Sequence, residues 1–111
     1  RYNLVNKEFL IEYNYLAFAG IGNPENFFNL LEKEGINVKK RISFPDHYSF
    51  SNNDIMNLFE KAKKENLNLI TTEKDSYRLS DDQLKNISIA KINLKIDNLE
   101  NLQEEILSKI Q

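Results

Sequence analysis

Tyr15-Leu-Ala-Phe-Ala-Gly-Ile-Gly-Asn-Pro-Glu25 is the stretch on which the fold turns. It opens with an apolar, aromatic-containing run that reads as a strand, and such a short run without polar alternation fits a strand covered on both faces. Gly20 and Gly22 end the run; glycine permits positive φ and close backbone approach. Asn23 is then a good helix N-cap, Pro24 suits the first helical position, and Glu25 sits at the positive end of the helix dipole. The predicted helix turns Phe27, Phe28, Leu30 and Leu31 inward and closes at Gly35 as a C′ residue.

The same rhythm continues on either side. Upstream, Phe9-Leu-Ile-Glu-Tyr13 also reads as strand, and residues 1–14 are expected to form a linker or leading strand region before an α/β/α domain over 15–111. Downstream, Ile36, Val38 and Ile42 mark a second strand that ends near Phe44-Pro45. Ser51 with Asp54 forms a capping box, and Ile55, Leu58, Phe59 and Ala62 then make a single-faced stripe. Leu67 to Thr71 is a third strand. A short helix over Ser80 to Lys85 is capped by Ser80 with Gln83. Ile87 to Ile96 suggests a fourth strand with a register change near Lys91, and Asp97 caps a last helix facing inward with Leu99, Leu102, Ile106 and Ile110. Strands alternating with helices predict a mostly parallel sheet with helices on both faces, an α/β/α sandwich.

Composition bounds the function. The 111 residues suit one domain, and 41% hydrophobic with 29% charged residues is an ordinary folded balance. A net charge of −2 argues against wholesale capture of nucleic acid. There is no cysteine and a single histidine, which excludes disulfide frameworks, thiolate metal sites and cysteine nucleophiles. Apolar runs such as Leu16 to Ala19 fall far short of the ~20 residues of a membrane span. The chain opens on Arg1 with no signal-like segment, so it is expected to be a piece of something longer. Its basic clusters, Lys39-Lys40-Arg41 and Lys61-Ala-Lys63-Lys64, read as solvated surface, with anionic lipid head groups the alternative.

In open parallel sheets ligands collect beyond the carboxyl ends of the strands. Three segments fall there: Gly20 to Pro24, Phe44 to Tyr48, and Thr71 to Asp75. The first is neither a GxxxxGK[ST] loop nor a full GxGxxG fingerprint, since Glu25 stands at the last position, and it reads first as a tight strand-to-helix turn, with an anion held at the helix start as the alternative. His47 is either a loop residue or a proton-transfer group near neutral pH. In an extended segment Asp46 points away from it, so its orienting carboxylate is expected to lie elsewhere, outside this chain included. Asp46 would instead hold the turn. Thr72, Glu73, Lys74 and Asp75 make either a polar wall or a helix N-cap with solvated charges.

Ala17-Phe-Ala-Gly-Ile-Gly-Asn-Pro24 with Phe27, Phe28 and Leu31, then Phe44-Pro-Asp-His47 with Tyr48, then Thr72-Glu-Lys-Asp75 resemble the C-terminal half of the tetraacyldisaccharide 4′-kinase family, the lipid A kinases of Gram-negative bacteria. Order and spacing match from Tyr15 to Arg78, and nothing after Ser80 carries a motif. The resemblance implies one half of a two-domain P-loop-type kinase, peripheral on the cytoplasmic face of the inner membrane, with this fragment soluble. The N-terminal P-loop domain would hold ATP and Mg²⁺ and approach the membrane surface. The γ-phosphoryl would pass to the 4′-hydroxyl of tetraacyldisaccharide 1-phosphate, a lipid disaccharide. His47 matches the motif histidine implied to pair with an aspartate of the N-terminal domain in activating that hydroxyl. Gly20, Gly22, Asn23, Asp46, Thr72, Glu73, Lys74 and Asp75 would line the cleft, and no metal ligand is expected in this chain. With neither P-loop nor metal-binding aspartates, the isolated chain is expected to be inactive. The rivals are a non-catalytic ligand- or partner-binding module and a phosphoacceptor receiver domain; the latter wants acids where Ala19-Gly20-Ile21-Gly22 stand.

Overall fold

A computed structural model describes residues 2–94. The expected last helix, from Asp97 onward, lies outside the described residues. In chain order the elements are β1 (Tyr2–Leu4), α1 (Lys7–Leu10), β2 (Asn14–Ala19), α2 (Pro24–Lys33), β3 (Asn37–Ser43), α3 (Asn52–Lys64), β4 (Asn68–Thr72), α4 (Glu73–Ser76), α5 (Asp81–Leu84), β5 (Ile87–Ala90) and β6 (Ile92–Leu94).

Four strands form a parallel sheet in the order β3-β2-β4-β5. β2 is interior, and Tyr15 to Ala19 are buried on both faces. The chain steps from β2 through α2 to β3, then back across β2 through α3 to β4. With crossovers of one hand, this reversal puts α2 and α3 on opposite faces. Their cores are accordingly separate. Phe27, Phe28 and Leu31 of α2 pack with Tyr15, Ala17, Ala19 and Ile70. Ile55, Leu58 and Ala62 of α3 pack with Leu16, Phe18 and Leu69. The reversal also makes the carboxyl ends of β2 and β4 the switch point of the sheet, where open α/β folds place their ligands.

Local chemistry sets the helix ends. Asn23 accepts from the Asn26 N–H and Pro24 opens α2. Gly35 adopts φ +88°, the left-handed conformation a C′ glycine supplies without strain. Ser51–Asp54 and Ser80–Gln83 both close capping boxes. β3, at the sheet edge, carries the basic cluster as paired charge. Lys40 meets Glu65 at 2.6 Å, and Arg41 bridges Glu25 and Glu32 with its guanidinium over the Phe28 ring. The Glu32 bond raises the Arg41 pKa further. Charged edge strands of this kind discourage sheet-to-sheet association.

Two expectations fail here. Phe9 to Tyr13 is not a strand: α1 and a turn occupy it, burying Leu10 while Phe9 stays 79% exposed. β1 lies earlier and pairs antiparallel with β6, Leu4 opposite Ile92. Leu4 and Leu10 thereby join the α2-side core. The single strand expected from Ile87 onward is two strands in two sheets. The break falls at Lys91, whose N–H is held by the Asn6 side chain, which also donates to the Ile89 carbonyl.

Candidate functional site

Gly20, the first residue beyond β2, is the hub of the site. Its N–H donates to both carboxylate oxygens of Asp75 at 3.1 Å, and its carbonyl accepts from the His47 N–H at 3.1 Å and from Arg78 Nη1 at 3.1 Å. An added Cβ would lie 3.1 Å from the Pro45 carbonyl oxygen, 3.3 Å from Asp75 Oδ1 and 3.3 Å from Tyr48 Cβ. Close approach, not positive φ, therefore requires this glycine, because Gly35 is the positive-φ glycine. At Gly22 a Cβ would meet only Asp46 Oδ2 at an ordinary 3.5 Å. Gly20→Ala is thus expected to lower the unfolding midpoint clearly and Gly22→Ala to leave it nearly unchanged. Thermal unfolding of the two variants checks this, and equal midpoints would refute the hub geometry.

Asp75 is fully buried. Besides the Gly20 N–H, it accepts from Thr72 Oγ1 at 2.7 Å and Arg78 Nη1 at 2.9 Å. Thr72 is at the same time the N-cap of α4, accepting from the Asp75 N–H at 3.0 Å. A carboxylate met by so many donors is held rigidly and has no face left for a ligand. Asp75 therefore supports the site from behind and does not line a cleft.

His47 sits in a turn closed by the Tyr48 N–H on the Pro45 carbonyl, 3.1 Å. His47 has φ +61° while Asp46 is not in the left-handed region, the pattern of a type II turn whose third position normally takes Gly or Asn. A histidine there is strained backbone, of the kind that gathers at functional sites. The flanks hold it in place. Phe44 stacks on Tyr48 with centroids 5.0 Å apart, both rings meet Phe50 edge-on, and Phe18 lies beneath Phe44 and Phe50. Tyr48 donates to Asp54 Oδ2 at 2.9 Å, which raises the phenol pKa. The Ser51 N–H and that phenol hold the Asp54 carboxyl below its usual range.

The His47 ring is 81% exposed. Its Nδ1 lies 3.3 Å from Arg78 Nη2, and its Nε2 lies 3.8 Å from Asp46 Oδ2, beyond hydrogen-bond reach. The segment is a turn, not extended, so Asp46 is nearer the ring than alternation predicts. Arg78 went unmentioned among the sequence candidates. The available signal was its i, i+3 spacing from Asp75, the spacing of a helical ion pair.

Gly22, Asn23, Thr72, Glu73 and Lys74 line a different feature, a cleft of about 710 Å³ between α2 with the glycine turn that leads into it and the segments around Thr72–Lys74 and Ala90–Ile92, with Phe27 and Leu30 in its lining. The sequence candidates thus divide into a hydrogen-bonded cluster under His47 and a neighbouring cleft. Asp46 lies between the two, beside Gly22. Asp75 is saturated by donors, and among the described residues no three His, Asp or Glu side chains gather as a metal cluster. No described helix is long and apolar enough to cross a membrane.

The family model for tetraacyldisaccharide-1-P 4′-kinase, LpxK, matches residues 3–111. The chain belongs to that family. It is 44% identical over 98 residues to the tetraacyldisaccharide 4′-kinases of Rickettsia akari and Rickettsia felis, covering 88% of this chain and 30% of each relative. A crystal structure of LpxK from Aquifex aeolicus, described as an "apo" form in complex with ATP, superposes with a TM-score of 0.58 at 26% identity. It covers 97% of this chain and 34% of that one. The chain therefore spans about a third of the length of these LpxK relatives.

Proposed function

We propose that this chain is the C-terminal, cleft-forming part of a kinase that moves the γ-phosphoryl of ATP to the 4′-hydroxyl of tetraacyldisaccharide 1-phosphate in lipid A biosynthesis. The observation that carries it is an exposed, conformationally strained histidine held at the switch-point edge of a parallel sheet, in a chain of the LpxK family. His47 is the catalytic residue of this part. The family resemblance gives it a carboxylate of the N-terminal P-loop domain as partner, and within this chain the Asp46 carboxylate stands 3.8 Å from Nε2, beyond hydrogen-bond reach. ATP and Mg²⁺ belong to that domain, which also carries the peripheral contact with the cytoplasmic face of the inner membrane. Gly22, Asn23, Thr72, Glu73 and Lys74 form the wall that faces the substrate side. Phosphoryl transfer depends on clamping the transferred group electrostatically. A chain without a phosphate-cradling loop is therefore inactive alone.

The test is ATP-dependent phosphorylation of tetraacyldisaccharide 1-phosphate, followed with labelled ATP. The complete polypeptide that contains this chain is expected to turn over and the 111-residue chain to show none. Activity in the short chain, or none in the complete polypeptide, overturns the proposal.

A further inference from the structure

We propose that Arg78 is a positioning residue that fixes both the orientation and the tautomer of His47. A guanidinium has five N–H donors and no acceptor, and it stays charged at any relevant pH. Arg78 spends them on three different partners: Nη1 on the Asp75 carboxylate and the Gly20 carbonyl, and Nη2 on His47 Nδ1. The first two partners are rigid, one a fully buried side chain and the other the backbone hub of the switch point. The arginine is itself only 23% exposed, so its fork is anchored before it reaches the exposed ring.

Because Nη2 can only donate, Nδ1 must accept, and a neutral imidazole bonded this way carries its hydrogen on Nε2. That nitrogen faces outward, toward Asp46 and open space. One interaction thus settles which ring atom meets an incoming group and that it presents an N–H there. The same role cannot fall to lysine. A single ammonium can pair with Asp75, but it lacks the planar spread that reaches the Gly20 carbonyl and the imidazole together.

This inference rests on His47 being the working residue, yet its direct test does not require catalysis. His47 is the only histidine of these 111 residues, so in the complete polypeptide, with ¹⁵N-histidine confined to this segment by segmental labelling, its two ring nitrogens can be followed by ¹⁵N NMR without assignment ambiguity. At a pH where the ring is neutral, wild type is expected to show Nδ1 as a hydrogen-bond-accepting, unprotonated nitrogen and Nε2 as the protonated one. In Arg78→Lys both resonances move toward the tautomer-averaged positions of free imidazole, while the fold and most of the unfolding midpoint persist. Identical resonances in the two proteins overturn the proposal. Should Arg78→Lys fail to fold, wild type decides alone. Slowed guanidinium rotation with resolved Nη–H resonances supports the anchored fork, and free rotation overturns it.

In the complete kinase, Arg78→Lys is expected to lower kcat about tenfold or more with little change in KM for ATP, since it misplaces a group without touching nucleotide binding. If His47→Ala leaves turnover intact, the catalytic reading of His47 falls while the NMR result stands. If Arg78→Lys leaves the resonances unmoved, the positioning role falls whatever turnover does.

Discussion

Asp75→Ala is expected to destabilise the fold by about 3 kcal/mol, a large share of the roughly 6–17 kcal/mol typical for a domain of this length. The carboxylate is fully buried and answers donors from Gly20, Thr72 and Arg78. Truncation leaves the Gly20 N–H and the Thr72 hydroxyl buried without an acceptor, and each orphaned group costs about 1–3 kcal/mol. Arg78, 23% exposed, recovers part of its loss by hydration, which keeps the total below the upper limit for a broken buried pair. Asp75→Asn is expected to cost about half as much. It keeps the shape and one acceptor but turns an N–H₂ toward groups that are themselves donors. Urea unfolding of both variants measures the effect through the midpoint at constant slope. A loss under about 1 kcal/mol for Asp75→Ala would falsify the supporting role given to this residue.

Much of this fold is legible from residue order. Tyr15 to Ala19 is uniformly apolar because the strand is covered on both faces, and Asn23-Pro24, Ser51–Asp54, Ser80–Gln83 and Gly35 mark helix ends by chemistry that acts within a few residues. What misled is also local. Phe9, Ile11 and Tyr13 alternate like a strand, but all three are exposed, so their spacing reports no buried face. The split at Lys91 depends on Asn6, 85 positions away, and no window of neighbouring residues contains that information.

The site divides in the same way. The convergence of the glycine turn, the histidine turn and the Thr72–Asp75 segment follows from sheet topology, which the alternation of strands and helices implies. The roles within it do not. Asp75 looks like one charge in a polar run until its carboxylate is found 3.1 Å from the Gly20 N–H, 55 positions earlier. Gly20 and Gly22 are indistinguishable as letters; only the surroundings show that a methyl group would be crowded at the first and not at the second. The positive φ of His47 was partly readable, since histidine is among the non-glycine residues enriched in that region.

That strained φ separates chemistry from stability at a single position. His47→Gly is expected to raise stability by up to about 1 kcal/mol, because glycine adopts φ +61° without the Cβ conflict that other residues meet there. The opposing loss is small: the ring is 81% exposed, and its bond to Arg78 is at the surface. In the complete kinase the same variant is expected to lose about a hundredfold or more in kcat, the scale of a lost partner in the pair that activates the hydroxyl, with KM for ATP little changed. His47→Ala keeps the strain and loses the ring, so it shares the catalytic loss without the gain in stability. The opposite signs matter because a residue retained only for folding cannot improve stability and abolish turnover when it becomes glycine. Turnover within a few-fold of wild type in a folded His47→Gly enzyme removes the imidazole from the mechanism. A marked loss of stability would instead mean that the turn depends on the side chain, and that the backbone is not strained by it.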